Sequence, residues 1–168
     1  MNFFKKLSIS SYISLVSLVV GIVAFIFYFV TKGTAGYFES AKVDVTVALT
    51  IVALVALVAV LVIRALDLKV EGIVKTVVDV VCGIVSAAVS VLFALSAMFY
   101  ISPKVEGIAF IYFSNADVAA TIQTPANLAS SKLAIATCVL LLVAAIVQVV
   151  SCFFSGKKEV AEKAADVA

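Results

Sequence analysis

Apolar residues fall in four long blocks along the chain, at about 12–30, 45–63, 79–100 and 133–154, with short polar stretches between them. Each block has the roughly 20 residues that an α-helix needs to cross a hydrocarbon core at ~1.5 Å per residue. The pattern predicts an all-α membrane protein, a bundle of four transmembrane helices. Residues 1–11 precede the bundle, residues 12–155 form one membrane domain, and residues 156–168 make a polar tail. Ser8, Ser10 or Ser11 can cap the first helix, and Arg64 closes the second. The first block also has a basic start, like a secretory leader, with Thr34-Ala35-Gly36 beyond it. Leader cores usually run only about 7–15 residues, so the longer run here favours a retained helix.

The third block, Asp79 to Tyr100, differs from the others in its small side chains. Gly83, Ser86, Ala87, Ser90, Ala94 and Ala97 recur three and four residues apart and so share one side of a helix. Small residues let helix backbones approach closely in lipid, where no hydrophobic drive brings them together. This helix is therefore expected to be the hub of the bundle. Pro103 is expected to end it, because the residue before a proline is pushed away from the α region.

Residues 102–131 form the one sizeable segment outside the spans. KVEGIAFIYFS is rich in β-branched and aromatic residues, SNAD is a turn signal, and VAATIQT can return as a second strand. The expectation is a small loop or β-hairpin-like cap, with a short helix from Asn115 as the alternative. Ser130 and Ser131 can cap the fourth span. The tail GKKEVAEKAADVA places Glu159 and Lys163 at i,i+4 and reads as a solvated helix. The pentapeptide KVEGI occurs at 69–73 and again at 104–108 with unmatched flanks, a coincidence in a valine-rich chain rather than an inverted repeat.

Composition agrees with the pattern. Hydrophobic residues make up 65% of the 168 and charged residues 13%, against about 45–50% and about 25% in soluble domains. A water-soluble fold of this size could not bury that much apolar surface. The formal net charge of +2, scattered at helix ends, gives no footprint for nucleic acid. Lysine and arginine instead set an orientation. Lys5, Lys6, Arg64, Lys69, Lys75, Lys157, Lys158 and Lys163 share one side; Lys32, Lys42, Lys104 and Lys132 share the other. The excess on the first side places both termini in the cytoplasm. Tyr28, Phe29, Phe99 and Tyr100 are then expected at the outer interface, and Tyr12, Phe153 and Phe154 at the inner one.

Candidate chemistry is sparse. Asp79 is the acid nearest the inside of a span, and an intramembrane acid can serve as a proton or cation relay. Its place at the start of a helix, with Lys75 one turn earlier, also fits an architectural role favoured by the helix dipole. Gln148, inside the fourth span, can line a polar path or act as interhelical glue. Thr46, Thr50, Ser14, Ser17 and Gly21 read as packing positions. The sequence has no histidine, which removes serine–histidine and cysteine–histidine pairs. One near-membrane acid does not make an aspartyl dyad. Cys82, Cys138 and Cys152 lie within apolar runs, without metal-ligand spacing or a disulfide pattern. No enzymatic activity and no metal or cofactor are expected.

Claudins, connexins and tetraspanins share the four-span layout but rely on outer-loop cysteines, which this chain lacks. Residues 99–154 resemble small four-helix integral membrane proteins of Gram-positive gut bacteria. The likeness rests on an aromatic-ended third helix, Lys104-Val105-Glu106, the turn Asn115-Ala116-Asp117 and a fourth helix ending in Phe153-Phe154. It implies a bacterial plasma membrane. Several such proteins are associated with glycoside hydrolases, which implies a carbohydrate-utilisation setting; the chain carries no hydrolase domain of its own. Two functions follow as expectations. One is an accessory or scaffold subunit that binds another membrane protein through helix faces and the outer loop. The alternative is a small homo-oligomeric channel or transporter with Asp79 and Gln148 as its polar elements.

Overall fold

The computed structural model of the chain describes residues 8–39, 44–66 and 73–154. The basic anchor at Lys5 and Lys6, the connector at 67–72 and the Glu159–Lys163 tail pair lie outside the described residues. Among the described residues six α-helices follow in order: α1 Ile9–Gly33, α2 Asp44–Ala65, α3 Ile73–Ile101, α4 Val105–Phe113, α5 Ala116–Ile122 and α6 Pro125–Phe154. A 3-10 turn, Ser102–Lys104, joins α3 to α4. Four segments are long and apolar enough to span a membrane, and the third is the whole of Ile73–Phe113.

Local chemistry sets the helix ends. Ser8 caps α1, its Oγ accepting the Ser11 amide at 3.3 Å. Asn115 caps α5 by accepting the Val118 amide at 3.0 Å, so the short helix from Asn115 forms rather than a returning strand. Thr124 caps α6 through the Asn127 amide at 3.2 Å, with Pro125 at the first helical position. The fourth span thus starts earlier than expected. Ser130 and Ser131 are buried inside α6 instead of capping it.

The hairpin-like cap is not present: there is no strand among the described residues, and 105–113 and 116–122 are helical. Two physical reasons outweigh β-propensity. Pro103 sits at the start of the 3-10 turn, where its missing N–H costs no helical hydrogen bond, so it redirects the chain without ending the helix. A helix also satisfies its own backbone next to lipid, which an isolated hairpin with two open edges cannot do. Pro103 is therefore a joint between α3 and α4 and not a terminus.

The four spans pack as a ring in the order α1, α2, α3, α6, each against its two neighbours. The most extensive pair is α1 with α6, so α3 is not the hub. The buried positions explain this. On α1, besides Ser11, they are Ser10, Ser14, Ser17, Gly21, Ala24, Tyr28 and Thr31, alternating four and three residues apart. On α6, Ala134, Thr137, Leu141, Ala144, Gln148 and Ser151 repeat the same alternation. A 3.5-residue period keeps one seam facing its partner and is the pattern of left-handed bundles. Small side chains along most of the α1 seam bring the two backbones together. Ser17 Oγ donates to the Ala144 carbonyl at 2.9 Å.

The buried face of α3 is bulkier, with Val89, Phe93 and Tyr100. Phe93 reaches across the ring to α1: a Cβ on Gly21 would lie 2.8 Å from its Cζ. Its ring, fully buried beside Leu57, Val89 and Leu141, fills the middle of the bundle. At the end carrying Lys104, the loop after α1 folds onto α4 and α6. Gly36 has φ 142°, and a Cβ there would sit 2.6 Å from the Ala126 carbonyl. Only glycine fits both the backbone angle and the approach. The Phe38 amide donates to Ser130 Oγ at 3.2 Å, and Tyr37 and Phe38 lie over Gly107 of α4.

Candidate functional site

The richest polar constellation lies inside the bundle at the end carrying Arg64. The 4–3 seams of α1 and α6 bring Ser10, Ser14 and Ser151 together there, and the last turn of α2 supplies Arg64. Arg64 Nη1 donates to Ser10 Oγ at 3.1 Å, and Nη2 reaches Ser86 Oγ on α3 at 3.5 Å. Arginine only donates, so Ser10 Oγ accepts from it, while the Ser10 hydroxyl donates to the Ser151 carbonyl, 3.0 Å away. Ser151 Oγ returns the bond to the Ser10 carbonyl at 2.9 Å. Ser14 Oγ lies 2.6 Å from Ser151 Oγ, and either hydroxyl can be the donor. The hydroxyls thus tie two backbones to each other and to one guanidinium. Arranged this way they lock four helices.

Gln148 stands on the same seam of α6, one turn further into the membrane. It is fully buried, and neither its Oε1 nor its Nε2 has a hydrogen-bond partner among the described residues. Asp79 is not part of this cluster. It is exposed, and since α3 begins at Ile73, it lies nearly two turns inside the helix rather than at its start. The helix-dipole explanation, which holds within the first turn, is thereby withdrawn. Lys75 is exposed as well. The two sequence candidates for a polar path therefore lie apart, one buried and one at the surface.

The small residues of α3 divide likewise. Ser86, Ser90 and Ala97 are buried, Gly83 and Ala94 half-buried, and Ala87 exposed. A Cβ on Gly83 would meet nothing within 4 Å. Ser86 serves Arg64, while Ser90 Oγ turns back to the Ala87 carbonyl at 2.6 Å. The stripe is thus not a continuous contact face within the chain. The sequence reading missed the serine lock and the reach of Arg64 into it. The four–three spacing of Ser10, Ser14, Ser17, Gly21 and Ala24 was the available signal.

A second polar group lies toward the other end. Thr31 and Thr137 hydroxyls are 3.3 Å apart, and each donates to its own helix at the carbonyl four residues back. Tyr28 and Tyr100, expected at the interface, are instead buried against each other with ring centroids 5.7 Å apart. Lys104 is 3% exposed; its Nζ donates to the Tyr100 carbonyl at 3.2 Å and lies 4.1 Å above the Tyr100 ring. A cation at the carbonyl end of α3 and over an aromatic face is doubly favoured. Between the two polar groups stands the apolar layer of Phe93, Leu57, Val89 and Leu141.

The cysteines are free, and no group of three or more potential metal ligands occurs among the described residues. No protein-family model matches the chain, and no curated protein or solved structure matches it significantly.

Proposed function

We propose that this multi-pass membrane protein is a non-enzymatic accessory or scaffold subunit of a bacterial plasma membrane, with both termini cytoplasmic. It acts through its outward helix faces and the segment 102–131. The observation that carries the reading is the filled centre of the bundle, where Phe93 packs against Gly21 and is 0% exposed. On one side of this layer Ser10, Ser151 and Arg64 tie helices together, and on the other Thr31 and Thr137 bond within their own helices. A single bundle of this kind offers no route for a solute, whereas its outer faces are broad and apolar: Val19, Ile26, Val55, Val62, Val91 and Ile146 are all exposed. Such faces contact lipid or the spans of another protein. The likeness to membrane proteins associated with glycoside hydrolases makes a carbohydrate-utilisation system the setting to test first.

The deciding experiment is native mass spectrometry of the chain extracted gently from its own host membrane. A discrete complex with a different protein is the expected result and identifies what is served. A closed ring of identical copies would overturn the proposal in favour of a conduit between subunits.

A further inference from the structure

Among the described residues Lys104, at the α3–α4 joint, is the one charged side chain that is buried. Every described acid is exposed, and Lys104 makes no ion pair with any described residue. Its ammonium carries three donors. The Tyr100 carbonyl takes one of them, and the Tyr100 ring lies under the charge. A carbonyl and an aromatic face answer a cation only in part, and a buried charge without a counter-charge is strongly unfavourable.

The packing of α3 on α6 brings a second donor to the same level. Cys138 Sγ, 3.9 Å from the Ala97 carbonyl, sets the register of these antiparallel helices. Seven residues on from Ala97 stands Lys104, and seven residues back from Cys138 stands Ser131. A step of seven is two turns and keeps each residue on the face of its reference. Beyond the joint α4 still packs against α6, so Lys104 and Ser131 meet the same interface at the same height. Ser131 is 0% exposed, and its Oγ has no hydrogen-bond partner among the described residues. The two therefore do not bond each other directly. A buried ammonium with donors to spare and an unspent hydroxyl select negative charge. One lysine balances one charge, and full burial favours a small ion over a phosphate.

We propose that Lys104 and Ser131 form a binding site for one small monovalent anion, which takes hydrogen bonds from Nζ and from the Ser131 hydroxyl. The ion neutralises the lysine and lets the α3–α4 joint close on α6. It is a fixed site and not a station on a path, because the layer around Phe93 fills the bundle between the two polar groups. The inference goes beyond the accessory role and does not depend on it.

The test is a chloride titration of the purified full chain, with gluconate holding the ionic strength constant and unfolding followed by circular dichroism. A ligand that binds only the folded state raises the unfolding midpoint with its concentration, so a saturable rise with chloride is expected. Lys104→Met should abolish the rise. Ser131→Ala keeps the lysine and should increase the half-saturating chloride about tenfold, the worth of one hydrogen bond to a charged group; it decides the matter even if Lys104→Met does not fold. Lys132→Gln, an exposed neighbour on α6, should leave the titration unchanged. No chloride dependence in the unmodified chain, a dependence that survives Lys104→Met, an unaltered half-saturation in Ser131→Ala, or loss of the dependence in Lys132→Gln would each overturn the site.

Discussion

Single residues in this bundle are governed by whether their polar atoms find partners. Gln148 is the sharpest case, fully buried with a carboxamide that has no partner among the described residues. A buried amide without partners costs ~1–3 kcal/mol, whereas a shape-matched apolar replacement carries no such cost. Gln148→Leu should therefore raise stability by about 1 kcal/mol, read as a higher midpoint in detergent-induced unfolding followed by circular dichroism. A loss of stability would mean that the amide is satisfied and bonded. Asp79 gives the opposite forecast. Being exposed, it should tolerate Asn with a change within ~0.5 kcal/mol. The same variant should leave liposome ion flux at the level of the unmodified protein. Any flux abolished by Asp79→Asn would return that carboxylate to a relay.

Elements are placed by spacing and by close approach, and here sequence and structure part in an instructive way. The four spans were legible because their apolar runs exceed anything a soluble helix could hide. The α1–α6 pairing was written in the four–three alternation of Ser10 to Thr31, but small residues on α3 were the more conspicuous signal. Those residues lose out because Phe93 and Tyr100 interrupt them on the buried face. The cap was misread since Val105 to Phe113 carries strand-forming side chains, while backbone satisfaction beside lipid and a helix-compatible Pro103 favour continuation. Close approach also makes the pairings testable. Gly21→Val should push Phe93 out of place and cost ~1–3 kcal/mol, as overpacking does. Phe93→Leu in the same chain should recover much of that loss, and a double-mutant cycle measures the coupling. Purely additive effects would mean that the two residues do not touch. Gly36→Ala meets both a positive φ and the Ala126 carbonyl. It should release the 34–39 loop from α6, seen as faster amide exchange there with the spans unchanged.

At the scale of the whole molecule, an even number of spans puts the two ends of the bundle on one side, and cation placement chooses which. Residues on the Arg64 side carry eight lysines and arginines, and those on the Lys104 side four. Two of the counted cations are turned inward. Lys104 is buried under Tyr100 and held by a helix carbonyl, so it is engaged in packing and offers little charge to the membrane surface. Arg64 is also drawn inward to Ser10, yet the charges remaining on its side still exceed the three on the other. The proposed cytoplasmic placement of both termini rests on this imbalance in the sequence. Reporter fusions give the check. A phosphatase that works only outside the cytoplasm should be active when inserted after Asn115 in the α4–α5 turn, and inactive after Ala168. Moving charge should weaken the preference: Lys5→Gln with Lys6→Gln, combined with Val45→Lys and Thr34→Lys on the opposite side, should produce a mixed population with activity at both positions. If the fusion after Ala168 were active in the unmodified chain, the inside and outside of the bundle would exchange.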